Sequence, residues 1–407
     1  MKNLIILYKI ALLSVCIIVL ASCSEKKSDK DIRIIDIAGA IGKGRIVDLS
    51  EIAKEIKYIP LETTDSSLLG DINSIFYENG HIYMCDYNAR SIKVFDSTGK
   101  YVSKIDRYGR GPEEYTSMYD FHVIPKNGNV TIISSELGAL NEYDMFGNFV
   151  SKTNFPYLKD YRNLRCIKMD DNTYLSAVFK MTETGEYSVI IYDSLSNIKM
   201  RIPNPEIKLN IKGVRSKDVC IVTVPWLYQF GSNIRIIYTD IPLDTIFSIG
   251  PGMKLEKLFG FNYGKFNKPA GKVTDIPKSS KIISFISTPF ESEDYLLLRF
   301  DLRGLATEPF GRGNKNNTVA AIYNKNSGEL TLMNQPVKGK FGFREDLENG
   351  PVFMPTTTST NNEFLCTYAA GRFIDFVKNN NCSDKIRELA QKLNENDNPI
   401  IAIVKLK

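Results

Sequence analysis

Between residues 72 and 105 the apolar positions fall into four short runs separated by turn residues. Ile72 to Tyr77 and Ile82 to Cys85 are two apolar segments joined by Asn79-Gly80, a pair that tolerates positive φ at both positions and so favours a two-residue hairpin. Ser91 to Phe95 sets apolar Ile92 and Val94 between polar neighbours, which is the period of a strand. Asp96-Ser97-Thr98-Gly99 then turns the chain: the aspartate side chain can bond its own backbone and the glycine can take the left-handed conformation. Tyr101 to Ile105 completes a predicted four-stranded antiparallel unit.

The unit repeats. Asn79-Gly80 registers on Asn127-Gly128, Phe95-Asp96 on Tyr143-Asp144, Gly99 on Gly147, and Val102-Ser103-Lys104 on Val150-Ser151-Lys152, a constant step of 48 residues without a gap. Weaker copies follow. One opens at Asp171-Asn172, carries a longer hairpin at T-E-T-G-E and reaches Tyr192-Asp193; another contains R-I-I-Y-T-D-I-P-L-D-T-I-F-S-I. A fifth holds Y-L-L-L-R-F and A-A-I-Y-N-K-N-S-G-E-L, and the last holds E-F-L-C-T-Y-A-A-G-R-F. About six units of roughly fifty residues, each with four strands, predict an all-β, six-bladed propeller.

Such a ring must close, because an open first or last blade exposes unpaired strand groups. I-K-Y-I-P-L near the start and I-I-A-I-V-K-L at the end are strand-like and otherwise unpartnered, so they are expected to complete one shared blade. Before the terminal strand, Ser383 can cap a short helix that places Ile386, Leu389, Ala390 and Leu393 on one face. That helix is expected to pack on the outside of the propeller.

The N-terminus changes the address. Met1-Lys2-Asn3 leads into an apolar run ending in Leu20-Ala21-Ser22-Cys23, which reads as an export signal. Lys9 interrupts a run already close to the minimum for a membrane-spanning helix. The small residues before Cys23 resemble the bacterial lipobox, which implies cleavage before the cysteine and its acylation. The expected organisation is a signal peptide over 1–22, a lipidated Cys23 with a polar tether over 23–50, and the propeller over 51–407. More than one acyl chain gives stable anchoring.

Beyond the signal and the anchor, Cys85, Cys166, Cys220, Cys366 and Cys382 remain. Their number is odd in a compartment that permits disulfides, and none forms a C-x-x-C pair. With only His81 and His122 to join them, a structural zinc site is not supplied. The formal net charge of +5 is spread without a dense basic cluster, so nucleic acid is not implied.

Y-I-P-L-E-T-T at Tyr58 to Thr64, V-F-D-S-T-G-K at Val94 to Lys100, G-R-G-P-E-E-Y at Gly109 to Tyr115, D-T-I-F at Asp244 to Phe247 and N-P-I-I-A-I-V-K-L-K at Asn398 to Lys407 together resemble the six-bladed β-propeller lipoproteins of gut-type Gram-negative anaerobes. That family is similar in fold to NHL-repeat and TolB-type propellers. The resemblance covers essentially the whole mature chain and implies the architecture, not an activity. One departure stands out: the family loop more usually reads G-Q-G-P-G-E-Y, and here Arg110 and Glu113 replace its glutamine and second glycine.

In a blade whose first strand lines the axis, residues 106–118 form the link that crosses one face to the next blade, and Asp86 to Arg90 emerge on that same face. Asp86, Tyr87, Asn88, Arg90, Arg107, Arg110, Glu113, Glu114 and Tyr115 are therefore expected around one mouth of the central channel. As a plain connector, Gly111-Pro112 makes a rigid turn with Tyr115 packed beneath. As a binding surface, alternating Arg and Glu beside tyrosines suit a sugar or peptide. C-D-Y-N-A-R is echoed by C-T-Y-A-A-G-R, and ring closure would bring Tyr368 and Arg372 beside Tyr87 and Arg90.

Enzymatic readings are poorly supplied. Glu113 and Glu114 are adjacent and point apart on an extended segment, whereas glycoside hydrolysis needs two carboxyls converging on one bond. No G-x-S-x-G elbow is present. His81 follows a hairpin glycine, and His122 is predicted on an innermost strand beside Asp120, as a core or channel residue. No cofactor is expected; carboxylate-bound calcium in the channel, through Asp86, Asp120 or Asp301, stays open as an alternative without EF-hand-like spacing behind it. Three functions follow: a lipid-anchored, non-catalytic module binding a glycan, peptide or envelope protein; a hydrolase or lyase using channel carboxylates with a divalent cation; or a scaffold for an envelope complex.

Overall fold

The computed structural model describes residues 32–118, 121–134, 138–155, 162–170, 172–179, 187–204, 225–238, 245–267, 280–305 and 317–407. The signal segment, Cys23, the first part of the tether, Asp120, Cys220 and the T-E-T-G-E hairpin lie outside them. Six antiparallel sheets form the blades of a propeller. In the first, Ile72–Glu78, His81–Asp86, Ser91–Asp96 and Tyr101–Ile105 run from the axis to the rim, as the apolar spacing predicts. The second blade holds Phe121–Val123, Val130–Ser134, Ala139–Tyr143 and Phe149–Asn154; the third begins at Arg162–Lys168 and the fourth at Trp226–Phe230.

The turn chemistry recurs with the blades. Asp96 Oδ1 accepts from the backbone N–H groups of Thr98 and Lys100 at 2.8 and 3.0 Å, and Asp144 Oδ1 accepts from Phe146 and Asn148 at 2.9 Å each. In the third blade Asp193 plays the same part, with Ser196 at φ 67° where the first two carry glycine. Asn79 and Gly80 both adopt positive φ, 52° and 73°, as the hairpin requires. The second blade differs: its inner strand stops at Val123, and Pro125, which cannot donate to a ladder, lies in a longer turn closed by Ile124 N–H to Asn129 O at 2.8 Å.

Middle strands are buried on both faces. In His81–Asp86, Ile82 and Met84 pack against Leu365, Ile401 and Ile403 of the closing blade, while Tyr83 and Cys85 pack against Phe121, Val130 and Ile132 of the second. Each inter-blade seam is thus its own apolar core, and each fully buried Ile or Leu side chain contributes about 1.5–3 kcal/mol relative to exposure. Cys85, Cys166, Cys366 and Cys382 are buried in the described part of the fold and are not joined in disulfides.

Closure pairs the two ends of the chain. Ala53–Pro60 is the outermost strand of the sixth blade and pairs antiparallel with the C-terminal strand Ile400–Leu406, Tyr58 opposite Ala402. Glu363–Tyr368 and Thr357–Thr358 complete that sheet toward the axis. Ser383 Oγ accepts from Ile386 N–H at 3.3 Å and caps the helix Asp384–Gln391, whose Ile386 and Ala390 are buried. A second helix, Ala370–Asn379, occupies A-A-G-R-F, where a loop is expected from sequence; Phe373, Ile374 and Val377 form its buried face. The two helices connect the second and third strands of the closing blade and pack on Ile400, Tyr58 and Tyr368. Among the described residues no helix is long and apolar enough to cross a membrane.

Candidate functional site

The inner strands converge on a central cavity of about 730 Å³, within the size range of small-molecule sites. All six blades line it: Phe76 and Glu78 from the first, His122 from the second, Arg165 from the third, Trp226, Tyr228 and Phe230 from the fourth, Phe290 and Arg299 from the fifth, and Thr357, Thr358 and Thr360 from the sixth. Glu78, Gly231, Glu293 and Asn362 sit where inner strands turn back into second strands, so the lining reaches the hairpin face of the disc.

The loop residues expected at a channel mouth lie outside the lining of this cavity. None of Asp86, Tyr87, Arg90, Arg107, Arg110, Glu113, Glu114, Tyr115, Tyr368 and Arg372 lines the cavity. The 87–90 and 106–118 loops do share a face, the one opposite the hairpin turns, and they touch: the Arg90 guanidinium lies 4.2 Å from the centroid of the Tyr108 ring. Several of their polar groups are already engaged. Asp86 is buried and accepts from the N–H groups of Gly70 and Ala89 at 2.8 and 3.0 Å, with Lys93 3.7 Å away. Glu114 accepts from Gly111 N–H at 2.6 Å, and Arg107 Nε donates to Gly147 O at 3.3 Å. Tyr115 is fully buried beneath the loop, its hydroxyl donating to Arg90 O at 2.6 Å. Tyr87, Arg90, Arg110 and Glu113 remain exposed.

The expected pairing of Tyr368 and Arg372 with Tyr87 and Arg90 does not form. Tyr368 lies on the same strand face as Phe364 and Cys366, turned away from the first blade; it packs on Tyr58 and Phe373 and donates to Val352 O at 3.1 Å. Arg372 is exposed on the 370–379 helix. Of the carboxylates considered for calcium, Asp86 is turned into its own loop, Asp120 lies outside the described residues, and Asp301 is not in the cavity lining. No three His, Cys, Asp or Glu side chains among the described residues are placed to share a metal ion.

His122 does reach the channel, as its place on an inner strand predicts. Its ring meets Phe76 edge-on at 5.7 Å, and its Nε2 is buried without a hydrogen-bond partner among the described residues. Burial, then the nearby Arg165 guanidinium, hold its pKa down at about 4 while Gln229 pulls the other way, so the ring is neutral at pH 7. Glu78 is displaced in the opposite sense. Burial pushes its carboxyl up to about 7, against a hydrogen bond from Thr360 Oγ1 that favours the carboxylate.

Behind the wall, a buried charge cluster fixes two of the aromatic rings. Glu291 accepts from Arg235 Nε at 2.8 Å and Nη2 at 3.0 Å, from Lys325 Nζ at 2.7 Å and from the Tyr228 hydroxyl at 2.9 Å. Burial works to raise its pKa but is outweighed by Arg235 and Lys325, which hold it below the usual range. Lys325 and Arg235 also lie 4.4 and 5.0 Å from the centroid of the Phe230 ring. No motif in the sequence marks these residues; they come from different blades and meet only across a seam.

The model of a family described as "Domain of unknown function (DUF4934)" matches residues 32–405. None of the curated proteins matches the chain. A Bacteroides fragilis protein described as a candidate exported protein is 19% identical and aligns over 92% of this chain and 99% of its own, with a TM-score of 0.65, so the two share a fold. A member of the DUF4221 family from Bacteroides vulgatus is 11% identical over 87% of this chain and 97% of its own, with a TM-score of 0.48. Virginiamycin B lyase from Staphylococcus aureus is 11% identical over 70% of this chain and 75% of its own, with a TM-score of 0.35.

Proposed function

This chain belongs to the DUF4934 family, and we propose that it is a lipid-anchored propeller of the cell envelope that binds a ligand in its central cavity without transforming it. The observation that carries this is the contrast between two surfaces. The 730 Å³ cavity draws aromatic, cationic and hydroxyl side chains from six blades into one concave space, the usual make-up of a ligand site. The Gly-Pro loop spends Glu114 and Tyr115 on holding itself together. The L-A-S-C sequence at Leu20 to Cys23 supports export and acylation, and the exported description of the Bacteroides fragilis relative agrees with that address.

The cavity is tested by filling it. Thr358→Trp should abolish binding of any hit from glycan and peptide arrays while leaving thermal stability close to wild type; hits that survive in the folded variant would place the site elsewhere. The anchor is tested with a clickable fatty acid, which should label the wild type and not Cys23→Ser.

One observation favours a second, catalytic reading. Glu78, poised near pH 7 in a cavity with a neutral His122, has the pKa of a general acid or base. On that reading Glu78→Gln would still bind the ligand but would no longer turn it over.

A further inference from the structure

The innermost strand of the fifth blade is broken. Ile282–Phe285 pairs with Phe300 to Arg303, Phe290–Glu291 pairs with Leu296 and Leu297, and Ile286 to Pro289 bulge between them. Pro289 cannot donate to the ladder, which accounts for a break there. Arg299, on the second strand, stands opposite the break and lines the cavity from behind it.

Among the described residues its guanidinium is held but not neutralised. Nε donates to Ser287 Oγ at 2.8 Å, and the Phe290 ring centroid is 5.7 Å away. Among the described residues no carboxylate pairs with Arg299, and none accepts a hydrogen bond from its Nη1 or Nη2. Burial alone lowers its pKa, with no acidic neighbour to restore it. A guanidinium is a planar fork that matches a carboxylate, and it stays charged at any accessible pH. Around the same cavity, the hydroxyls of Thr288 in the break and of Thr357, Thr358 and Thr367 on the neighbouring closing blade make no hydrogen bond to the described protein, while Trp226 and Tyr228 offer rings on the fourth blade. The volume far exceeds what an inorganic anion would fill.

We infer that the ligand of this cavity is an acidic saccharide, its carboxylate held by Arg299, its ring lying on the aromatic wall and its hydroxyls met by the threonines of the closing blade. The inference rests on the cavity being the binding site. It goes further in naming the ligand class and the residue that selects it: a neutral sugar would leave the Arg299 fork unmatched, and a row of threonine hydroxyls suits a polyhydroxylated ring.

Saturation-transfer NMR and calorimetric titration of the full chain should compare tri-galacturonate and tri-glucuronate with their methyl esters and with carboxyl-terminal peptides. The acidic sugars should bind, esterification should weaken them on the order of tenfold or more, as loss of a charge-assisted pair implies, and Arg299→Gln should weaken the acids to the level of the esters. Arg299→Lys should recover part of the loss. Arg299→Gln should melt no lower than wild type, since it removes an uncompensated charge, so a lost signal cannot be put down to unfolding. Equal binding of acids and esters, acids that bind Arg299→Gln as well as wild type, or binding of peptides but not uronates would overturn the inference. If neutral sugars bind and Thr358→Trp removes them, the cavity remains the site and only the acidic class falls; if Thr358→Trp removes nothing, the site itself is wrong.

Discussion

Thr360 Oγ1 of the closing blade donates a hydrogen bond to the Glu78 carboxylate of the first blade, 282 residues away along the chain. The ring closure that pairs the two chain ends thus also sets the charge of one wall of the cavity. Burial raises Glu78 to about 7 from an ordinary value of 4.5, so the folded state binds this proton more tightly than the unfolded chain. Its contribution to stability is therefore intact below about pH 4.5 and is lost as pH rises toward 7. His122 works the other way: with its pKa lowered from 6.5 to about 4, its contribution is present above pH 6.5 and lost as pH falls.

Because the two trends oppose each other, a variant that lacks the carboxyl isolates the part of Glu78. Glu78→Gln keeps a polar partner for Thr360 and removes the titration. Its stability relative to wild type should rise between pH 4.5 and 7 by up to about 3 kcal/mol, read from denaturant melts at several pH values. A flat difference would show that Glu78 is ionised in the fold with an ordinary pKa.

Glu291 holds the seam between the fourth and fifth blades. Glu291→Ala leaves Arg235 and Lys325 buried together without their anion, and should cost about 3–5 kcal/mol in chemical unfolding. It should also loosen Tyr228 and Phe230, so ligand affinity should fall in protein that is still folded at low denaturant. A cost under about 1 kcal/mol would mean that water reaches the cluster.

Gly147 sits at the repeated turn with φ 83°, and a Cβ there would come within 2.8 Å of Lys104 O of the preceding blade. Both the left-handed conformation and the backbone contact oppose a side chain, so Gly147→Ala should lower stability by about 1–3 kcal/mol. Gly80 has φ 73° but open space around it; Gly80→Ala should cost about 1 kcal/mol, for conformation alone. Equal losses would show that the blade-to-blade contact contributes nothing.

The exposed loop face offers a control. Tyr115→Phe removes the hydroxyl that donates to Arg90 O and should cost about 1 kcal/mol without changing cavity binding. Arg90→Ala with Arg110→Ala should leave melting temperature and saccharide affinity unchanged. If that double variant loses ligand while Thr358→Trp does not, the loop face is the site.

The blades and their turns were legible because each depends on residues close in sequence, and the closing pair because each chain end carries its own strand pattern and a closed ring must partner both. Asn79-Gly80, Asp96 with Gly99 and the alternation around Ile92 and Val94 act through the local backbone, and a 48-residue copy shows them twice. The 370–379 helix was not legible from A-A-G-R-F, because its signal is an apolar face that only acquires meaning against Tyr58 and Tyr368. Gly109 to Tyr115 stand out by composition, which reports the presence of charge and not its partners: Glu114 caps its own loop and Tyr115 is buried.

The order of apolar and turn residues was enough to dictate short antiparallel sheets and a ring closed by its own ends, since hairpins and strand faces follow from neighbours along the chain. Where charge collects was decided only in three dimensions. Every blade supplies side chains to the cavity, Arg299 reaches it through a break in another strand, and Glu291 meets Arg235 across a seam. Burial and pairing govern those energies, and both are properties of what lies across space, which no local stretch of the chain records.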